Sequence, residues 1–461
     1  MSLPSSLELA SIRLYYQEGG SPFDLFDFLF RRISLDRQEH GNVWISLREQ
    51  SDIHSILDKL IKAGPTDLPL WGIPFSVKDN IDVLDLPTTA ACPAFSYLPE
   101  QSATVVRQLE KAGAVCLGKT NLDQFATGLN GTRSPYGPCT SAFNSDFISG
   151  GSSSGSAVSV SLHHVCFSIG TDTGGSGRIP ASLNNVVGLK PTCGTLSTEG
   201  LVPCCPSVDC PSVFALSVAD AIEVASIASD SELPDSSLRS DAQHSTFFLA
   251  SEDCVASILV PSDHDLEFFG NSEGKSLYMN LLHQLDQSGL ELKRFDFAPF
   301  REAGSLLFDG PFIADRFSSI GEFVQSNQSS VLSTTSAILS KATTVSGSDV
   351  FKALDRIKQL KTYVQCLAGP ESLFIFPTLA PLYTISQLLE KPVELNSNIG
   401  HYSYFANILD MSALSVPTGF YANGMPFGVT LMGLPFRDSF LAQFAVSVLG
   451  IDDLSLGLSR S

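Results

Sequence analysis

The sequence predicts an α/β fold. Three observations favour this class: short apolar runs typical of buried strands, amphipathic helical segments between them, and Gly- and Ser-rich turns where strands should end. The chain has 461 residues, of which 43% are hydrophobic and only 16% charged, so it must bury a large core and is not a disordered protein. No composition break divides it. We therefore expect residues 1–461 to form a single domain, with residues 1–70 as a helical segment packed on it.

The spacing of apolar residues predicts regular elements along the whole chain. The buried run 73–77, which ends at Lys78, is followed by a helix over 102–111 and a strand over 112–118, and this βαβ pattern indicates a largely parallel sheet. The other helices are predicted over 7–16, 22–33, 53–61, 157–162, 217–229, 274–289, most of 300–368, and 438–449. The other strands are predicted over 165–170, 256–261, 290–297, 373–377, 413–418 and 428–432, with an exposed connection at 230–250.

Charge and composition exclude several classes of partner. The net charge of −20 repels nucleic acid and anionic membrane surfaces, so an anionic substrate would need a cation placed beside it. No apolar run reaches the roughly 18–20 residues that a membrane span requires. The N-terminus lacks a basic region followed by an apolar one, which favours a cytoplasmic location and reduced thiols. Cys204, Cys205 and Cys210 lie close together, but no second cluster accompanies them, so no metal is expected.

Two Gly- and Ser-rich clusters, at 150–156 and 171–178, are the best candidates for a ligand site. Glycine has no side chain and reaches positive φ, so such loops can turn several backbone N–H groups toward one small ligand. Ser176 follows three small residues in the second cluster. Their N–H groups could stabilise the oxyanion that forms when a hydroxyl attacks an amide carbonyl.

A serine nucleophile needs a base, and Lys78 is a better candidate than the eight histidines, which lie in polar or isolated positions. Lysine accepts a proton only when neutral, and burial lowers its pKa. The commoner interpretations stay open: a lone lysine is usually solvated, and a serine among glycines usually forms a turn. The segment 151–155 also fits the G-x-S-x-G elbow of α/β-hydrolases, but no downstream acid and histidine can be identified for it.

Three segments, PFSVKDNID (74–82), GGSSSGS (150–156) and GTDTGGSGRIPA (170–181), followed by GLKPT (188–192), resemble the amidase signature family in order and spacing. The resemblance implies the amidase-signature fold, an α/β architecture with a large mixed central sheet flanked by helices on both faces. It also implies an amidohydrolase that needs neither a metal nor a cofactor.

The resemblance implies a Ser–cis-Ser–Lys triad. Carried over position by position, Ser176 is the nucleophile, Ser152 is the bridging serine next to a cis peptide bond, and Lys78 is the base. The oxyanion hole then consists of backbone N–H groups from Thr173, Gly174, Gly175 and Ser176 itself.

Within the family, the segments 86–95, 119–137 and 201–221 resemble the allophanate hydrolases. This implies that the substrate is a small carboxylated amide, allophanate (urea-1-carboxylate), which releases ammonia through an acyl-enzyme. A carboxylate needs a bidentate cation, and Arg316 stands where the subgroup places one. Further substrate contacts would come from Phe308, Gly128 and Ser153. A homodimer and a functional link to a biotin-dependent urea carboxylase are both compatible with this resemblance.

The chain departs from the subgroup in three ways. Phe308 stands where tyrosine is usual, so one hydroxyl contact to the substrate would be missing. The tripeptide 173–175 has Gly where Ala is common. The chain also ends soon after the amidase region, without the subgroup's further C-terminal domain. Two alternatives therefore stay open: an amidase of other small amides or esters, and a catalytically silent partner subunit, against which the intact Lys78, Ser152 and Ser176 argue.

Overall fold

A computed structural model describes residues 3–4, 6–229, 235–241, 247, 255, 257–369 and 371–459. Within these residues, one mixed sheet of eleven strands forms the centre of the molecule. Its strands are β1 (Trp44–Leu47), β2 (Pro74–Lys78), β3 (Val115–Thr120), β4 (Phe167–Asp172), β5 (Val187–Lys190), β6 (Cys210–Ala215), β7 (Ser257–Pro261), β8 (Glu291–Phe295), β9 (Ser372–Pro377), β10 (Ser412–Phe420) and β11 (Pro426–Gly433). They are ordered β1-β3-β2-β4-β6-β5-β10-β11-β9-β7-β8 across the sheet.

Helices connect and cover these strands. They are α1 (Leu9–Gln17), α2 (Pro22–His40), α3 (Gln50–Ala63), α4 (Thr104–Lys111), α5 (Ser154–Ser161), α6 (Ile179–Leu183), α7 (Val218–Ala228), α8 (Ser272–Gln287), α9 (Ala298–Phe308), α10 (Ile313–Ser326), α11 (Ser333–Ser340), α12 (Gly347–Leu367), α13 (Ile385–Glu390), α14 (Glu394–Ile399), α15 (Phe405–Ile408) and α16 (Asp438–Ser447). Local sequence explains several starts. Pro22 opens α2 after the N-cap Ser21, and α12 begins with a reciprocal capping box between Ser346 and Asp349.

The central strands are covered on both faces. Every residue of β2, β3, β4, β5, β6 and β11 is buried, which requires helices on both sides of the sheet. Helices α5, α6, α7 and α16 contact these central strands. The edge strands β1 and β8 are partly exposed. The α/β class with a large central sheet flanked by helices is therefore confirmed.

The predicted βαβ unit is confirmed, since β2 and β3 pair in parallel and α4 lies between them in the chain. The prediction of a largely parallel sheet is wrong. Of the ten pairings in the described residues, four are parallel and six antiparallel. One antiparallel pair, β10 and β11, is a hairpin closed by a tight turn in which Gly424 has a φ of +82°.

The N-terminal segment differs in one respect from the prediction. Helices α1, α2 and α3 form where the apolar spacing indicated them, but β1 lies between α2 and α3 and pairs antiparallel with β3. The first seventy residues thus extend the sheet as well as packing helices on it. Of the predicted connection at 230–250, only 235–241 and 247 are described, and Arg239 there pairs with Asp410 at 2.7 Å. Among the described helices, none is both long and apolar enough to cross a bilayer.

Candidate active site

The two strands that carry the candidate residues lie side by side. β2 and β4 pair in parallel, with Val77 opposite Ile169, so their carboxyl ends meet at one edge of the sheet. Lys78 ends β2, and Asp172 ends β4 just before the second Gly-rich cluster. The first Gly/Ser cluster leads directly into α5, which packs on both strands. Topology therefore brings three distant segments to one place.

The structure joins the three predicted residues in a chain of hydroxyl contacts. The Nζ of Lys78 lies 2.8 Å from Oγ of Ser152, and that oxygen lies 2.9 Å from Oγ of Ser176. All three side chains are buried. The Gly151–Ser152 peptide bond is cis, at the position that the resemblance implies. A proton can pass along these contacts in either direction, depending on the charge of the amine.

Lys78 has no carboxylate partner among the described residues. Its Nζ donates instead to Oγ1 of Thr171 at 2.7 Å, in addition to Ser152. Complete burial disfavours the charged form and lowers the pKa of Lys78 to about 7, although more distant carboxylates oppose this effect. The amine is therefore able to act as a base near neutral pH.

A buried ion pair shapes the loop that carries Ser176. The Nε and Nη2 of Arg178 donate to the two carboxylate oxygens of Asp172 at 2.8 and 2.9 Å. Although burial opposes ionisation, the positive charge of Arg178 lowers the pKa of Asp172. The carboxylate also accepts the N–H groups of Gly175 and Gly177 at 2.8 and 2.9 Å. Asp172 thus fixes the backbone on both sides of Ser176.

These contacts bear on the predicted oxyanion hole, which stays a prediction. The N–H group of Gly175 already donates to Asp172. The N–H groups of Thr173, Gly174 and Ser176 remain candidates for that role. The hydroxyl of Thr173 is itself fixed, since it donates to Oδ1 of Asp209 at 2.5 Å.

A pocket opens beside this loop and contains most of the predicted substrate contacts. Its lining includes Thr127, Gly128, Arg133, Phe308, Asp309, Arg316, Ile338, Lys341, Val393, Asn396, Ser397 and Tyr404. Phe308 connects it to the nucleophile, because a Cβ built on Gly174 would lie only 2.6 Å from Cε2 of its ring. A glycine at this position of the tripeptide therefore leaves room for the aromatic wall.

Arg316 is the most unusual side chain in the pocket. It is 1% exposed, yet its Nε and Nη2 have no hydrogen-bond partner among the described residues. Its guanidinium carbon lies 4.3 Å from the centre of the Phe308 ring. The Nε–H and one Nη–H of arginine form an edge that matches both oxygens of a carboxylate. A buried, unpaired edge of this kind is suited to a bound anion.

Ser153 does not reach the pocket with its side chain. Its hydroxyl donates to the carbonyl of Thr171 at 3.0 Å and is fully buried. The hydroxyl of Ser153 is therefore engaged within the protein, and a substrate contact from this residue stays a prediction. The hydroxyl holds the first Gly/Ser cluster against β4 instead.

Several site residues had not been singled out from the sequence. Arg133 and Asp172 lie inside the motifs already noted, but no spacing rule distinguishes them there. Tyr404 and Asn396 come from the segment between β9 and β10, and no local signal pointed to them. Among the described residues, no group of three or more His, Cys, Asp or Glu side chains is arranged to bind a metal. The clustered cysteines make separate hydrogen bonds. The thiol of Cys204 donates to the carbonyl of Ala126, and the thiol of Cys210 donates to the carbonyl of Pro191.

Comparison with known proteins identifies relatives of the whole region. The family model described as Amidase matches residues 24–441. The chain is 38% identical over 409 residues to urea amidolyase of Saccharomyces cerevisiae, covering 88% of this chain and 22% of that protein. It thus spans about a fifth of the length of this curated relative.

Solved structures of related enzymes are also similar to this chain. Allophanate hydrolase of Kluyveromyces lactis matches with a TM-score of 0.87 and 35% identity, covering 98% of this chain and 74% of that one. Urea amidolyase of K. lactis matches with a TM-score of 0.88 and 36% identity, covering 96% of this chain and 27% of that one.

Proposed function

The chain belongs to the amidase family of amidohydrolases, and from that premise we propose that it hydrolyses allophanate through an acyl-enzyme on Ser176. The observation that carries this proposal is the buried chain of contacts from Lys78 through Ser152 to Ser176. An unpaired guanidinium in the adjoining pocket supports a substrate with a carboxylate. The similarity to allophanate hydrolase supports the specific substrate.

Acylation begins with Lys78 neutral. Ser176 attacks the terminal amide carbonyl of the substrate while its proton passes to Ser152, whose own proton passes to Lys78. The oxyanion forms against the N–H groups of Thr173, Gly174 and Ser176. The proton then returns along the same path to the leaving nitrogen, so that ammonia departs and an ester remains on Ser176.

Deacylation repeats the proton path with water in place of the first nucleophile. Water attacks the ester carbonyl, Ser176 recovers its proton, and the acyl group leaves as a carboxylate. The overall reaction consumes one water and yields ammonia and a dicarboxylate linked through nitrogen. No metal or redox step is required by this sequence of bond changes.

Arg316 fixes the other end of the substrate. The Nε–H and Nη2–H groups on its free edge donate hydrogen bonds to the two carboxylate oxygens of allophanate. Gly128 and Phe308 form adjacent walls of the same pocket. This contact orients the amide toward Ser176 and selects carboxylated amides over neutral ones.

The similarity to urea amidolyase supports a place for this activity after the carboxylation of urea. We propose that a biotin-dependent urea carboxylase supplies the substrate, and that the chain works in the cytoplasm. The homodimer compatible with the resemblance stays a prediction.

The decisive experiment measures ammonia release by the purified chain from allophanate and from a panel of neutral aliphatic and aryl amides. We expect turnover of allophanate, and its loss in Ser176→Ala. Ser182→Ala is the matched control, because it removes another buried hydroxyl that has no hydrogen-bond partner among the described residues. A fluorophosphonate probe should label the wild type and Ser182→Ala but not Ser176→Ala.

Three outcomes contradict the proposal. Ammonia release that survives in Ser176→Ala would exclude this nucleophile. A wild-type protein that neither turns over any amide nor reacts with the probe would instead be a silent partner subunit. Equal activity on neutral amides and on allophanate would identify a broader amidase.

A further inference from the structure

We propose that Tyr404 determines substrate specificity by accepting a hydrogen bond from the N–H group between the carboxylate and the scissile carbonyl of the substrate. This inference rests on the proposed function and extends it to one additional residue. It derives from the position of the Tyr404 ring, from the hydrogen bonds of its hydroxyl, and from the shortage of acceptors around it.

The Tyr404 ring lies between the two ends of the proposed substrate. It packs against Phe308 with ring centroids 3.6 Å apart. A Cβ built on Gly174 would lie 3.3 Å from its Cδ1, so the ring also borders the oxyanion loop. Phe308 in turn lies beneath the guanidinium of Arg316. The ring pair thus spans the distance from the reacting carbonyl to the carboxylate site, where the central N–H of a ureide would lie.

The hydroxyl of Tyr404 is held by hydrogen bonds within the protein, and its oxygen can still accept one more. It donates to the backbone carbonyl of Asn396 at 3.1 Å and accepts from Nδ2 of the same residue at 3.0 Å. Burial raises the pKa of Tyr404 well above its usual range, so the hydroxyl stays neutral at physiological pH. A hydroxyl oxygen has two lone pairs. One of them therefore remains for a ligand.

Other groups in the pocket are poorly suited to accept this hydrogen bond. Arg133 and Arg316 carry donors and no acceptor. The Oδ1 of Asn396 already accepts from the N–H of Leu129 and from Nδ2 of Asn130, both at 2.8 Å. Asp309 is exposed at the rim, as is the neighbouring Ser397.

Thr127 is the remaining rival acceptor. It is buried, and its hydroxyl donates to the carbonyl of Phe125 at 3.2 Å, which leaves its oxygen able to accept. The proposal therefore distinguishes two hydroxyls in one pocket, and the experiment has to separate them.

The test compares allophanate with malonamate, which has the same carboxylate and the same terminal amide but a CH₂ group in place of the central N–H. We expect Tyr404→Phe to lower kcat/KM for allophanate about 3- to 10-fold, the loss of one neutral hydrogen bond. Its kcat/KM for malonamate should stay within about 2-fold of the wild type. Using the ratio of the two substrates in each protein cancels their different intrinsic reactivities.

Tyr402→Phe is the matched control. The Tyr402 hydroxyl is also buried and also donates to and accepts from a single residue, Glu267, but it does not line the pocket. The substrate ratio should not change in this variant. Thr127→Val, which removes the rival hydroxyl, should also leave the ratio close to that of the wild type.

Each outcome is decisive for one of the two proposals. An equal loss on both substrates in Tyr404→Phe, or a changed ratio in Thr127→Val alone, would overturn the role of Tyr404 while leaving the amidase activity intact. A wild-type protein inactive on both substrates would refute the proposed function itself, and this inference with it. Equal rates of fluorophosphonate labelling in wild type and Tyr404→Phe would establish that the variant is folded.

Discussion

The two ends of the candidate active site, the Lys78–Ser152–Ser176 chain and the pocket with Arg316, contain the same unusual feature: a buried cation without a carboxylate partner among the described residues. At one end, burial lowers the pKa of Lys78 to about 7. At the other end, Arg316 is almost fully buried with two unpaired donors. A lysine escapes the cost of burial by losing its proton, whereas an arginine does not lose its charge in proteins. Lys78 can therefore act as a base, whereas Arg316 keeps its charge and is suited to bind an anion.

Two other buried cations show what a carboxylate changes. Lys119 in β3 is as buried as Lys78 but lies 3.2 Å from Asp79. Arg178 is as buried as Arg316, but its Nε and Nη2 both donate to the carboxylate of Asp172. These two pairs hold the structure around the site. Among these four buried cations, the two that are proposed to act in the reaction are the two without a carboxylate partner in the part of the chain that the structure describes.

The largest expected effect comes from replacing Lys78, and the same replacement at Lys119 provides the comparison. Lys78→Met should lower kcat about 10²- to 10⁴-fold, the usual contribution of a general base, with little change in stability because no charged partner is left behind. Lys119→Met should instead lower the free energy of unfolding by about 3–5 kcal/mol, because Asp79 becomes a buried, unpaired charge. Ammonia release and chemical denaturation, measured on both variants, separate the two effects.

The pH profile of the wild type provides the internal control for Lys78. The neutral amine is the active form, so kcat/KM should fall as the pH drops through about 7 and should level off above it. Lys78→Arg keeps the positive charge but cannot release it near neutral pH, so this variant should be inactive over the whole range. Activity in Lys78→Arg that returned at alkaline pH would contradict a lysine base.

Removing the second unpaired cation should have an intermediate effect that depends on the substrate. Arg316→Ala should lower kcat/KM for allophanate about 10- to 100-fold, as expected for hydrogen bonds to a charged group at about 1.5–3 kcal/mol. Neutral amides should be turned over no worse than by the wild type. Arg316→Lys should recover only part of the loss, because an ammonium group lacks the flat bidentate edge. An equal loss on charged and neutral amides would assign Arg316 to structure.

The residues of the proposed triad could be predicted from the sequence because each lies in a short motif. Lys78 follows an apolar strand, and Ser152 and Ser176 lie in two Gly-rich segments, so short motifs carry most of the information. The anion end is different. Arg133, Arg316 and Tyr404 come from three distant segments, and only the packed structure shows that they line one pocket. Burial and missing partners are properties of the packed chain, and no spacing rule contains them.

The same division applies to the fold. Strands with continuous apolar runs, such as β2 and β9, were predicted to within a few residues, as were helices such as α4, α7 and α8. β1, β5 and β6 were missed. β1 and β5 have only four residues each, and β6 begins in a Cys- and Pro-containing segment that resembles a loop. Their antiparallel pairing depends on partners far along the chain, which local patterns do not specify.

The smallest expected effect is that of Phe308→Tyr, which tests whether the pocket needs a hydroxyl at this position. Phe308 stands where the resemblance implies tyrosine, but its ring already packs against that of Tyr404, which lines the same pocket. The Cζ of Phe308 would lie 3.0 Å from a Cβ built on Gly174, so the edge of its ring lies close to the loop that carries Ser176. We expect Phe308→Tyr to change kcat/KM for allophanate by less than about 3-fold, within the range of one neutral hydrogen bond. A gain of tenfold or more would contradict this expectation, because it would show that the pocket lacks a hydroxyl contact that Tyr404 does not replace.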